Sequence, residues 1–252
     1  ETMYNAGDPR NNSINTSAYS TGGFGGNFPQ WGGGTAKTWG IWNGGYIRNY
    51  GTGIYCLDSK VDVYGCEIYG FNGSGVDAVG TADVTVERCR IHDNYSYGAW
   101  AKAYGDGANK AMPSLTINNN DIYDIGHPDA KHTHQQIDPG YGIATSNSGA
   151  STVGLVNFTA TNNRVYRCKR KGIEAHHATN WFVHGNHVDD TGFGIYIGIN
   201  SGYPFETALI TGNKVKNIYY TDTSVSYGIA VFGLASASPK KGSVVIHGNE
   251  VE

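Results

Sequence analysis

Apolar and polar positions along the chain repeat as one phrase, apolar-x-x-(Asn/Cys)-x-(Ile/Val). Its copies are Val63/Cys66/Ile68, Val86/Cys89/Ile91, Ile117/Asn120/Ile122, Ala160/Asn163/Val165, Val183/Asn186/Val188, Ile210/Asn213/Val215 and Ile246/Asn249/Val251. A degenerate copy stands at Trp42/Gly45/Ile47. Between the copies lies a second phrase, a glycine followed by alternating small or apolar residues, at Gly53, Gly75, Gly98, Gly142, Gly172, Gly194 and Gly228. Both phrases alternate with period two and are rich in Ile, Val, Thr and Tyr, which predicts strands rather than helices.

Successive ladder positions are 21, 23, 31, 43, 23, 27 and 36 residues apart. The unit is therefore about 22 residues, with insertions in the longer intervals. Two or three short strands per unit, stacked unit on unit, make a parallel β-helix. The expected fold is thus all-β, a right-handed parallel β-helix solenoid of about eight coils over residues 39–252. Residues 1–38 are irregular but carry Tyr4, Tyr19, Phe24, Phe28 and Trp31, and are expected to lie against the first coil. The sequence stops at Glu252 inside a repeat, so the solenoid is expected to be cut before its C-terminal cap.

The recurring asparagine has a physical reason. At a corner it hydrogen-bonds the backbone and the Asn of the next coil, and buried amides are tolerated only when paired in this way. Leucine-rich repeats also use a ladder Asn, but they need several leucines per unit, and this chain is poor in Leu. Cys66 and Cys89 hold the ladder position in consecutive coils. Stacking points their Cβ atoms in parallel, so buried thiols are expected rather than a disulfide; Cys56 and Cys168 read as core.

Composition narrows the function. Of 252 residues only 15% are charged, the net charge is −3 and basic residues are scattered, which argues against a nucleic-acid binder. No apolar run is long enough to cross a bilayer as a helix. The 18 tyrosines favour carbohydrate, because such side chains stack on sugar rings and hydrogen-bond them.

Insertions locate the working face. The ladder Ile/Val and the next glycine are ordinarily 7 residues apart, but Ile122 and Gly142 are 20 apart. Long insertions also follow the strands at Gly98 and Gly142, so loops are expected to wall a groove on both sides of these strands. With the isoleucines inward, one outward column runs Tyr55, Asp77, Trp100, Ala144, Glu174, Tyr196, Ala230. The next runs Leu57, Val79, Lys102, Ser146, His176, Gly198, Phe232.

Two reactions suit these residues. A lyase needs a base, an acid and a cation to neutralise a uronate carboxylate, and His176, Tyr196 and Lys102 or Arg170 offer that set. A hydrolase needs paired carboxylates. Glu174 is the first, and Asp77, three coils away, is too distant to be the second, so a loop residue such as Asp106, Asp129 or Asp138, or a carboxylate of a neighbouring subunit, would have to serve. Asp77, Trp100, Ser146 and Arg170 are expected to contact substrate. So are His127, Asp129, His132, His134 and Asp138 in the insert following Gly126. Its His-x-His pair admits a metal site, but spacing fixes no third ligand. Ca2+ is the one cofactor left open.

The Gly-Ile strands, Asn corners and near-22 period resemble the right-handed parallel β-helix superfamily, the pectate-lyase-like proteins, from about residue 40 to 252. Glycine and tyrosine richness and varied insertions look most like phage tailspike polysaccharide depolymerases. The resemblance implies an extracellular enzyme, a lyase or glycoside hydrolase of a bacterial surface or acidic polysaccharide, with a homotrimer as its assembly. A non-catalytic carbohydrate-binding or adhesin β-helix is the alternative.

Overall fold

The structure is a computed structural model. It describes residues 14–15, 52–71, 73–102, 113–126, 140–146, 157–176, 178–199, 206–218, 226–233 and 242–252. Every regular element among these is a β-strand, and every strand pairing is parallel. The strands form one seven-stranded sheet and one thirteen-stranded sheet. Together they wrap three faces around a single core.

The first face holds the strands before each ladder residue, from Lys60–Tyr64 to Ser243–His247. The second holds those just after it, such as Glu67–Tyr69, Arg90–His92 and Asp121–Ile125. The third is the glycine sheet: Ile54–Leu57, Ser74–Val79, Tyr97–Lys102, Tyr141–Ser146 and Ile229–Gly233, with the C-terminal halves of Arg164–His176 and His187–Ile199. Those two long strands run through the corner and fuse the second and third faces into one sheet. Ile14–Asn15 pairs parallel to Ile54 and Tyr55 at the head of the glycine sheet.

Inward isoleucines and valines stack in columns. Ile54, Val76, Ile143, Ile173 and Ile195 are each fully buried. At the corner before the second face, the residue preceding each ladder position is left-handed: Arg88, Asn119 and Asn162 have φ of 54°, 58° and 55°, and Gly65, Gly185, Gly212 and Gly248 join them. This explains the Gly-Asn and Asn-Asn pairs of the repeat, since few other residues enter that region cheaply.

Behind that corner the amides form the expected stack. Asn163 Oδ1 accepts from Asn120 N at 2.9 Å and from its Nδ2 at 3.0 Å, and Asn163 Nδ2 donates to Ile117 O. Asn186, Asn213 and Asn249 repeat the pattern. All four cysteines are thiols. Cys89 takes the amide's place: its Sγ accepts from Cys66 N at 3.4 Å and donates to Val63 O at 3.6 Å.

Glycine opens the third face for a steric reason. A Cβ on Gly98 would stand 2.5 Å from the carbonyl oxygen of Gly142 and 2.7 Å from Ile122 Cγ2 in the core. Glycine and the following isoleucine therefore both turn inward, and alternation breaks at this corner. The residue before each glycine is thrown outward, onto the same face as the residue two after it.

Candidate functional site

The central outward column stands in the expected register. Tyr55 pairs with Asp77, Asp77 with Trp100, Trp100 with Ala144, Ala144 with Glu174, Glu174 with Tyr196 and Tyr196 with Ala230. In the second column Val79 pairs with Lys102, Lys102 with Ser146 and His176 with Gly198. The backbones of Ser146 and His176 are thus placed, while their side chains lie outside what is described. His127, Asp129, His132, His134 and Asp138 fall outside the described residues altogether, as do the loops expected to wall the groove.

The broken alternation adds a third column that strict period two hides: Thr52, Ser74, Tyr97, Tyr141, Lys171, Phe193 and Tyr227, each just before a glycine. Ser74 pairs with Tyr97, Tyr97 with Tyr141, Tyr141 with Lys171 and Lys171 with Phe193. Arg164, Arg167, Lys169, Arg170 and Lys171 form a basic run that would, as an ordinary turn, lie in solvent. Instead the strand pairing shifts register between Cys168 and Lys171, and Arg170 and Lys171 are only 7% and 6% exposed.

Lys171 Nζ donates to Glu174 Oε1 at 2.5 Å, and both side chains are buried. The ammonium also lies 3.8 Å from the centre of the Tyr196 ring, a cation–π contact made stronger by desolvation. Burial pushes the Lys171 pKa down, with Glu174 holding it partly back up. Burial likewise raises the Tyr196 phenol, and lifts Tyr97 to about 12, so both stay protonated.

Three coils away Asp77 is 3% exposed. Pointing off the sheet did not expose it, because Trp100, Lys102 and Tyr55 stand around it. Thr52 Oγ1 donates to its Oδ2 at 3.2 Å and Lys102 Nζ lies 4.0 Å away, while Oδ1 is buried with no hydrogen-bond partner. Burial raises the Asp77 pKa, against the pull of Lys102, Ser74 and Thr52. Lys102, expected as the cation beside His176 and Tyr196, stands next to Asp77, two coils from Glu174.

A stack of rings joins the two groups. The guanidinium of Arg170 lies 4.6 Å over Tyr141, Tyr141 stacks on Tyr97 at 5.0 Å, Tyr97 on Trp100 at 4.4 Å, and Lys102 caps Trp100 at 4.5 Å. Three rings thus run between two cations. No described carboxylate on this face other than Asp77 is available to pair with Glu174, and their three coil steps amount to ~14 Å at the usual inter-strand spacing. Among the described residues no group of three His, Cys, Asp or Glu could hold a metal ion.

The second face holds a covered histidine. His92, which alternation from the inward Ile91 would turn to solvent, is buried between Tyr69 and Tyr123, with ring centroids 4.8 and 4.7 Å away. Asp93 and Glu67 contact its two ring nitrogens.

The sequence matches, over residues 47–251, the family described as the right-handed beta helix region. The chain belongs to the right-handed β-helix family. No curated protein matches it. Among solved structures it is similar to the periplasmic alginate epimerase AlgG, at 14% identity with a TM-score of 0.42 over 80% of this chain and 47% of that one. A mutant of the same epimerase gives 16% identity and a TM-score of 0.39. This β-helix spans about half the length of those structures.

Proposed function

We propose that this β-helix is an extracellular enzyme that cleaves an acidic polysaccharide by β-elimination on the outer face of its glycine sheet. The observation that carries the reading is the buried Lys171–Glu174 pair, with Arg170 beside it and Tyr196 over it. Arg170 neutralises the uronate carboxylate and so acidifies the neighbouring C–H. Lys171, held by Glu174, takes that proton as an amine. The electron pair left on carbon forms the new double bond as the β C–O bond breaks, and the departing oxygen takes the Tyr196 phenol proton. Sequence alone favours His176 as base; Lys171 is the basic group that the described side chains bring to Glu174 and Tyr196.

Hydrolysis has less support. Glycosidase carboxylates lie up to about 9.5 Å apart, and Glu174 and Asp77 exceed that. The test is ultraviolet absorbance of the unsaturated uronate end when the protein meets polyuronates. Absorbance should rise with the wild type and be lost in Lys171→Met and Tyr196→Phe. Chain shortening without absorbance would overturn elimination in favour of hydrolysis. Glycan binding with no shortening would leave a carbohydrate-binding protein.

A further inference from the structure

We propose that Lys102, backed by Trp100, Tyr55 and Asp77, is a second anion-binding station, which takes the carboxylate of a sugar two residues from the one being cleaved. This rests on the reading of the face as a polysaccharide site, and it adds the spacing of charge along the substrate.

Strand register sets the spacing. Lys102 and Trp100 pair with Ser146 and Ala144 on the next coil, and Ala144 pairs with Glu174 on the one after. The strands that carry the two cationic groups are therefore two coils apart, ~10 Å at the usual strand spacing. One coil step is close to the advance of one pyranose along an extended glycan. A chain lying along the solenoid axis would place one ring over Lys102, the next over Ala144 and the third over Lys171 and Arg170. The middle position is low, because Ala144 is a small side chain and is 1% exposed. It presents no charge of its own.

The site at Lys102 is built rather than incidental. Its ammonium lies 4.5 Å from the Trp100 ring centre and 5.8 Å from that of Tyr55, so two rings hold one face of the cation dry. Its carboxylate neighbour Asp77 is buried, with an unpartnered Oδ1, and burial favours the protonated acid there. At 4.0 Å and with its anionic form disfavoured by burial, Asp77 offsets the Lys102 charge less than an exposed carboxylate would. The stack of Tyr141, Tyr97 and Trp100 holds this cation at a fixed remove from Arg170. A polymer with an acidic group on every second residue meets both stations; one lacking the far acid meets only one.

The experiment compares two trisaccharides, hexuronate–hexose–hexuronate and the same molecule with its far carboxylate reduced to an alcohol. With the wild type, reduction should raise KM about tenfold or more, the worth of one charge-assisted contact, and leave kcat nearly unchanged. In Lys102→Met the two substrates should become equivalent, whereas Lys102→Arg should restore the discrimination. Thermal unfolding of each variant confirms that it is folded. A wild type that turns over both trisaccharides with equal KM overturns the second station alone, as does a Lys102→Met variant that still discriminates. A wild type that neither binds nor cleaves either one overturns the reading of the face along with it.

Discussion

Lys171 Nζ and Glu174 Oε1 stand 2.5 Å apart, in side chains that are 8% and 10% exposed. They are three residues apart on one strand and share a face only because Gly172 turns inward between them. Each charge depends on the other, since a buried ion pair gains little over apolar packing but an orphaned member costs a great deal.

Glu174→Gln should therefore destabilise the fold by about 3–5 kcal/mol, read from guanidinium unfolding. A volume-matched double variant, Lys171→Met with Glu174→Leu, should recover most of that loss. If the double variant is as unstable as the single, the pair is not a mutually dependent unit.

The pH–rate profile should carry the signature of Lys171. Burial lowers its pKa from the ordinary 10.5, and the amine is the reactive form. Cleavage should rise with pH through an apparent pKa below that value. Removing the Glu174 anion should move the rise to still lower pH in whatever activity Glu174→Gln retains. The same shift makes stability climb with pH, because the unfolded lysine holds its proton over a range where the folded one has lost it. A rate independent of pH across this range would exclude Lys171 as the base.

Asp77 should act on stability with the opposite sign. Its folded pKa is raised, so the folded state holds a proton that the unfolded state has released, and stability falls as pH rises from the ordinary carboxylate value through the raised one. Asp77→Asn should remove this component. The variant's melting temperature should gain on the wild type as pH increases, and the two should converge in acid. A gap that does not change with pH would mean the carboxylate is not held protonated.

Cys89 suggests a graded test of the ladder. In Asn186→Ala, Asn163 N and Nδ2 lose their acceptor and Ala160 O loses its donor. Each buried group left unsatisfied costs ~1–3 kcal/mol. Asn186→Cys should be milder, because the thiol at Cys89 already accepts and donates at the equivalent place. Denaturant midpoints in the order wild type, Asn186→Cys, Asn186→Ala would bear this out.

Most of the fold was legible because its rules are local and repeated. A corner that demands a left-handed residue followed by a buried amide writes Gly-Asn or Asn-Asn into each coil. The central column followed from period two alone, and the register from Tyr55 to Ala230 agrees with it. The centre at Lys171 was hidden by the same rule, applied where it fails: two inward residues in succession displace every position before the glycine. One signal was present. Thr52, Ser74, Tyr97, Tyr141, Lys171, Phe193 and Tyr227 are polar or aromatic, a poor fit to the interior where strict alternation from the inward isoleucines would put them. Asp77 shows the other limit, since an outward-pointing side chain can still be covered by larger neighbours, and a sequence pattern carries direction but not depth.

The coil as the unit of construction makes this face a ruler with fixed graduations. Its two cations rise from strands two coils apart, so the spacing of the backbones that carry them comes in whole strand steps. Substituting Lys102 or Arg170 erases a mark, whereas adding or deleting an entire coil between Trp100 and Glu174 would move one mark by a single sugar. Substrate length and substrate charge would then be separately editable, the first by counting coils and the second by choosing side chains.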